Sequence, residues 1–140
     1  MHIGLDCHGV IDKYPETFAR LSRNLMAQNH SVSIITGQEW EKVKPTILKH
    51  RISYSHFFSI VDYHKELGTD MWLDQKGTWW MDNEIWLQSK GNYVQRNNID
   101  LHFDDSYSYA KYFPSTCTFI LVPKTNFHMF DEFVRNLVVV

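Results

Sequence analysis

Residues 2–12 read HIGLDCHGVID. A short apolar run closes on an acid, Asp6, and a glycine follows at Gly9. The length and flanks of the run predict a buried strand. Gly9 predicts a tight turn beyond it. The strand therefore ends by presenting a carboxylate, with Cys7 and His8 between the acid and the turn. If strand geometry continues past Asp6, Cys7 points away from both Asp6 and His8. It reads as a packing residue.

Working outward, Pro15 suits the first position of a helix. That helix runs to about Gln28, with Phe18, Leu21, Leu25 and Met26 at helical spacing. SVSIIT (31–36) predicts a second buried strand, and 38–50 a helix containing Pro45. HFFSIVDY (56–63) predicts a third strand. MWLDQKGTWWM (71–81) predicts a β-hairpin turning at Gly77. Asp82 is the N-cap of a short helix over 83–88, and 92–96 add another turn or two. IDLHFDD (99–105) predicts a strand closing on paired acids. A short helix (107–113), a last strand (117–123) and a last helix (128–137) follow. Alternating strands and helices predict an α/β fold, a parallel sheet with helices on both faces. Ligands of such sheets bind beyond the carboxyl ends of the strands. Those ends supply Asp6, then Thr36 and Gly37, then Asp104 and Asp105.

The composition sets bounds. A length of 140 residues suits a single domain, and 44% hydrophobic residues suffice for one core. A formal charge of −2 gives no electrostatic footprint for long nucleic acid. No apolar run approaches the roughly 18 residues of a membrane span. The opening strand lacks the basic and long apolar regions of a signal peptide. Two cysteines far apart in sequence, Cys7 and Cys117, read as reduced thiols. The expectation is a cytoplasmic protein.

Four elements carry a resemblance. IGLDCHGV is an apolar strand followed by an acid and a Gly turn. SIIT is an apolar strand ending in Thr. SKGNYV places a Lys ahead of a helix. LHFDD is an apolar strand ending in paired acids. In this order they resemble the haloacid dehalogenase-like (HAD) phosphohydrolases, whose first motif is D-x-D-G-[TV]. The resemblance spans residues 2–106. It implies a three-layer Rossmannoid fold and an Mg²⁺-dependent phosphomonoesterase working through an aspartyl-phosphate. On that likeness Asp6 is the nucleophile. Asp6, Asp104 and the backbone carbonyl of His8 hold the metal, and Asp105 ligates it or orients a metal-bound water. Thr36, with Gly37 beside it, donates to a phosphate oxygen. Lys90 neutralises charge, with Lys65 and Lys76 as alternatives. Backbone N–H groups after Asp6 complete a phosphate cradle.

The chemistry is self-consistent. Phosphoryl transfer needs a nucleophile, a hard cation and cationic or hydrogen-bonding groups around the phosphoryl. A strand-end carboxylate supplies the nucleophile. The departure is His8, which stands where the family has its acid–base Asp. An imidazole titrates near neutrality and can serve both proton transfers. It can equally impair hydrolysis, which leaves a second class open: a phosphate- or nucleotide-binding or phosphoryl-carrying protein. A receiver domain would need its paired acids after the first strand, and here they follow the Lys. A cysteine phosphatase would need Arg five residues beyond its Cys, where Lys13 stands. None of the eight histidines has a zinc spacing. His102 and the remaining histidines read as surface or packing residues, and Asp12 as a cap or solvated acid at the helix start.

Trp72, Trp79, Trp80 and Trp86 fall within fifteen residues. They lie in a small insert (62–89) where HAD proteins carry a cap domain. An insert this small implies a nearly capless site under a hairpin lid. At least half of these rings read as packing the hairpin onto the core; exposed ones would stack on a planar substrate or join an oligomer. A nucleotide or polynucleotide end ranks first as substrate, then a phosphoprotein, then a sugar phosphate.

Overall fold

The structure is a computed structural model, and it describes residues 1–137. Five parallel strands form one sheet: β1 (His2–Leu5), β2 (Ser31–Thr36), β3 (His56–Ser59), β6 (Leu101–Asp104) and β7 (Thr118–Leu121). Their order is β3-β2-β1-β6-β7. The chain builds outward from β1 to β3, then returns to the other side of β1. The switch point between β1 and β6 is where such folds open a ligand crevice. A separate antiparallel hairpin joins β4 (Met71–Leu73) and β5 (Trp79–Met81).

Among the described residues, five α-helices flank the strands: α1 (Pro15–Ala27), α2 (Trp40–Lys49), α3 (Ile60–Leu67), α4 (Asn83–Arg96) and α5 (Phe127–Arg135). Among the described residues, no helix is long and apolar enough to cross a membrane. Strand alternation sorts side chains to two cores. Ile3, Leu5, Ile34 and Phe103 pack with Phe18, Val43 and Phe130 of α1, α2 and α5. Ile35 packs on the opposite face with Ile60, Tyr93 and Val94 of α3 and α4. Phe18 is fully buried and meets Phe103 edge-to-face at 5.2 Å, fixing α1 on the sheet.

Two expected elements differ. The third strand stops at Ser59, and Ile60–Leu67 is helical. Ser59 Oγ accepts from the Asp62 amide at 3.1 Å, an N-cap, and Gly68 closes the helix at φ 76°. A continuous apolar run hides that boundary, because strand and helix bury it equally. The expected pieces 83–88 and 92–96 are one helix, continuous through Lys90 and Gly91. Lys90 therefore lies inside α4 rather than ahead of a helix. A Cβ on Gly91 would stand 2.2 Å from the Tyr112 carbonyl. The glycine admits the 3₁₀ turn Tyr107–Tyr112 against α4.

Candidate functional site

Period two also builds the site. In β1, Ile3 and Leu5 face one core, so Gly4 and Asp6 face α4. In β6, Leu101 and Phe103 face the first core, so His102 and Asp104 also face α4. The register pairs Gly4 with His102. Asp6 and Asp104 thus emerge side by side at the switch point. Lys90 descends on them from α4.

Lys90 Nζ lies 2.7 Å from Asp104 Oδ2 and 3.2 Å from Asp6 Oδ1. All three residues are buried. Burial works against the ammonium, but the charges of Asp6 and Asp104 outweigh it and hold Lys90 protonated well above the usual lysine range. Burial also pushes Asp104 up, and Lys90 and His102 outweigh it, so Asp104 stays far below the ordinary carboxylate range. Asp6 goes the other way. Burial and the Asp104 charge exceed what Lys90 returns, and its pKa rises to about 7. The buried set carries two carboxylates against one ammonium, and Asp6 holds the surplus. Neither alternative lysine reaches the acids: Lys65 pairs with Glu39 at 3.3 Å, and Lys76 is an exposed residue of the hairpin turn.

Asp105 completes an acidic group. One oxygen from each of Asp6, Asp104 and Asp105 lies within 4.8 Å of the others. Three carboxylates in reach of one point form an all-oxygen donor set, the kind a hard divalent cation takes. Gly9 makes the approach of Asp105 possible. It sits at φ 75°, and a Cβ there would fall 2.1 Å from Asp105 Oδ2. Both its conformation and the missing side chain are required.

Thr36, Gly37 and His8 line the same cleft, about 200 Å³, with Asp6 and Lys90. Thr36 Oγ1 accepts from the Gln38 amide at 3.3 Å, which leaves its proton to donate elsewhere. The loop amides behave differently from expectation. The Cys7 N–H donates to Asp6 Oδ1 at 2.9 Å, and the Gly9 N–H to Asp12 Oδ1 at 2.7 Å. Both fix the loop itself instead of cradling an anion. Cys7 is buried in the first core, its thiol pushed up to about 12 by burial.

Three partners went unread in the sequence. Asp12 Oδ2 lies 3.0 Å from His8 Nδ1, which assigns the ring N–H there to the carboxylate. Burial lowers the His8 pKa, but hydrogen bonds to Asp12 and Gln38 and the charges of Asp12 and Asp6 raise it further, so it ends above the usual value. His102, expected only to pack or face solvent, is fully buried with Nε2 3.0 Å from Asp104 Oδ2. Burial keeps it neutral, so Nε2 carries the proton and donates. Its Nδ1 rests against Gly4 without a hydrogen-bond partner, and a Cβ on Gly4 would fall 2.6 Å from it. Tyr109 lies 4.3 Å from Lys90 Nζ, its ring capping the ammonium. The i−2 position of His102 on a strand ending in Asp104 was a usable signal; no local pattern marks Tyr109.

No protein-family model matches the chain, and no curated protein matches it.

Proposed function

We propose that the chain is an Mg²⁺-dependent phosphomonoesterase of the haloacid dehalogenase-like superfamily, acting through an aspartyl-phosphate on Asp6. One observation carries the reading. The carboxylates ending β1 and β6 flank the sheet's switch point, bridged by a buried lysine and joined by a third acid.

An Asp6 oxygen attacks phosphorus, and the bond from phosphorus to the leaving oxygen breaks. Protonated His8 gives its proton to that oxygen. Neutral His8 then takes a proton from a water attacking the phosphorus of the aspartyl-phosphate, which releases phosphate and restores Asp6. Asp12 holds the imidazole through Nδ1, the role of the orienting acid in other acid–base pairs. Lys90 balances the charge passing between Asp6 and the phosphoryl group, and the Thr36 hydroxyl donates to a phosphoryl oxygen. Asp6, Asp104 and Asp105, with the His8 backbone carbonyl, would hold Mg²⁺, which offsets phosphate charge when bound.

The test is a phosphoester panel with Mg²⁺, with and without EDTA, on the wild type and on Asp6→Asn. Metal-dependent turnover lost in Asp6→Asn supports the proposal, and turnover that survives the substitution refutes the nucleophile. His8→Ala should lose on the order of 10²–10⁴-fold in kcat. No metal-dependent turnover on any ester would turn the reading to a phosphate- or nucleotide-binding protein.

A further inference from the structure

The hairpin does not close over the cleft. It extends it. Trp86 of α4 borders three neighbouring hollows that share lining residues. The first is the 200 Å³ cleft at Asp6. The second is a neck of about 70 Å³ between Gln38, Glu39 and Trp79. The third is a groove of about 290 Å³ lined by Trp79, Trp80, Met81 and Asn83. Cleft and neck share Gly37, Gln38 and Trp86, and neck and groove share Thr78, Trp79 and Trp86.

The corridor is built from fixed parts. The Trp86 ring lies on the Gly37 backbone, where a Cβ would stand 2.7 Å from it. Trp86 Nε1 donates to the Tyr109 hydroxyl at 2.9 Å. Lys42 Nζ donates to the Gly77 carbonyl at 3.1 Å, tying the hairpin turn to α2. Lys65 Nζ sits 4.4 Å over the Trp79 ring and ties it to α3. These contacts hold Trp79 and Trp86 in place before any ligand arrives.

We infer that the substrate is a mononucleotide, its phosphate at Asp6 and its base in the groove between Trp79 and Asn83. This rests on the phosphoesterase reading. Indole faces stack on any base. The Asn83 amide offers a donor and an acceptor together, the pair a base edge presents. Gln38 and Glu39 place polar groups at the neck, where the sugar hydroxyls of such a molecule would lie. An aryl phosphate or phosphotyrosine carries its ring next to the phosphate and would leave the far groove empty. A sugar phosphate has no planar aromatic ring to cover the indoles. A continuing strand would need free cations beyond the groove. Lys42 and Lys65 both pair with Glu39, at 3.2 and 3.3 Å, which leaves Lys76 of the hairpin turn as a single exposed cation there.

The experiment compares kcat/KM for AMP, ribose 5-phosphate and a 5′-phosphorylated oligonucleotide in wild type, Trp79→Ala and Asn83→Ala. The expected AMP to ribose 5-phosphate ratio is about 10–100 in wild type, the value of one stacked base. It should collapse toward one in Trp79→Ala and fall in Asn83→Ala, which keeps the stacking and loses the hydrogen bonds to the base edge. A general folding defect lowers both substrates alike and leaves the ratio standing, so Asn83→Ala, on an exposed helix position, decides where Trp79→Ala is ambiguous. A wild-type ratio near one, a ratio unmoved in Asn83→Ala, or preference for the oligonucleotide overturns the mononucleotide while keeping the phosphoesterase. AMP binding is read separately, by quenching of tryptophan fluorescence in Asp6→Asn. Saturable quenching with no turnover of any ester by wild type would overturn the phosphoesterase and keep the base seat. Neither turnover nor quenching overturns both.

Discussion

At the carboxyl edge of the sheet, Asp6, Lys90 and Asp104 have 6%, 1% and 0% of their surface exposed; in the hairpin, Trp72 and Trp80 keep 57% and 50%. Charges lie inside and large apolar rings outside, the reverse of what residue type alone would give. The charges tolerate burial because each is another's partner, and because His102 and the Ser106 amide also donate to Asp104. The rings stay out because Phe18, Phe103 and Phe130 already fill the core. The sheet edge is therefore rigid and intolerant, and the hairpin is a surface free to meet a ligand.

The contrast breaks most sharply at Lys90. Lys90→Met strands two buried carboxylates and should cost about 3–5 kcal/mol. Urea unfolding in EDTA checks this, and a cost under about 1 kcal/mol would mean that water reaches the acids. His102→Leu removes one of the donors that orient Asp104. Mg²⁺ affinity by calorimetry should fall about 10–100-fold, whereas an unchanged affinity would make His102 packing alone.

Asp6→Asn tests the surplus charge, with opposite signs for stability and turnover. The folded pKa of Asp6, about 7, lies above its unfolded value of 3.8. The stability it contributes is complete below about pH 4 and is lost as pH rises to 7. One pKa unit corresponds to about 1.4 kcal/mol and the rise spans about three, so neutralising Asp6 should stabilise the metal-free protein by on the order of a few kcal/mol at pH 8. It should also flatten the decline between pH 4 and 7 while turnover vanishes. An unaltered pH profile would show that Lys90 fully compensates Asp6. Asp131 behaves oppositely: hydrogen bonds from Thr17, Arg135 and Arg20 hold it below the usual range. Its contribution is present above about pH 4 and fades on acidification. At the small end, Trp72→Ser should change the unfolding free energy measured in urea by under about 0.5 kcal/mol. A larger loss would show that the hairpin supports the core.

The parts of the site that read from sequence were those with a local signature. Asp6 and Asp104 close apolar runs, Thr36 closes another, and Gly9 marks a turn. Lys90 stands first only by its place in the order of motifs, with Lys65 and Lys76 as alternatives, because nothing local to a lysine says which acid it will meet. Gly91 lies between the two expected helical pieces, and mid-helix glycine costs about 1 kcal/mol; the close pass of Tyr112 explains it only once the chain is folded. Of the four clustered tryptophans, Trp86 packs against the second core while Trp72 and Trp80 face solvent. Composition could not sort them.

The sequence by itself determined the alternation of strands and helices, the acids at the strand ends and the turn after Asp6. Each follows from side-chain periodicity and backbone preference within a few residues. Tertiary structure alone decided that Lys90 bridges Asp6 and Asp104, that His102 holds Asp104, and that Trp86 joins the cleft to the hairpin groove. Those contacts join residues from separate elements. Their energy depends on distance and on exclusion of water, and a one-dimensional pattern carries neither.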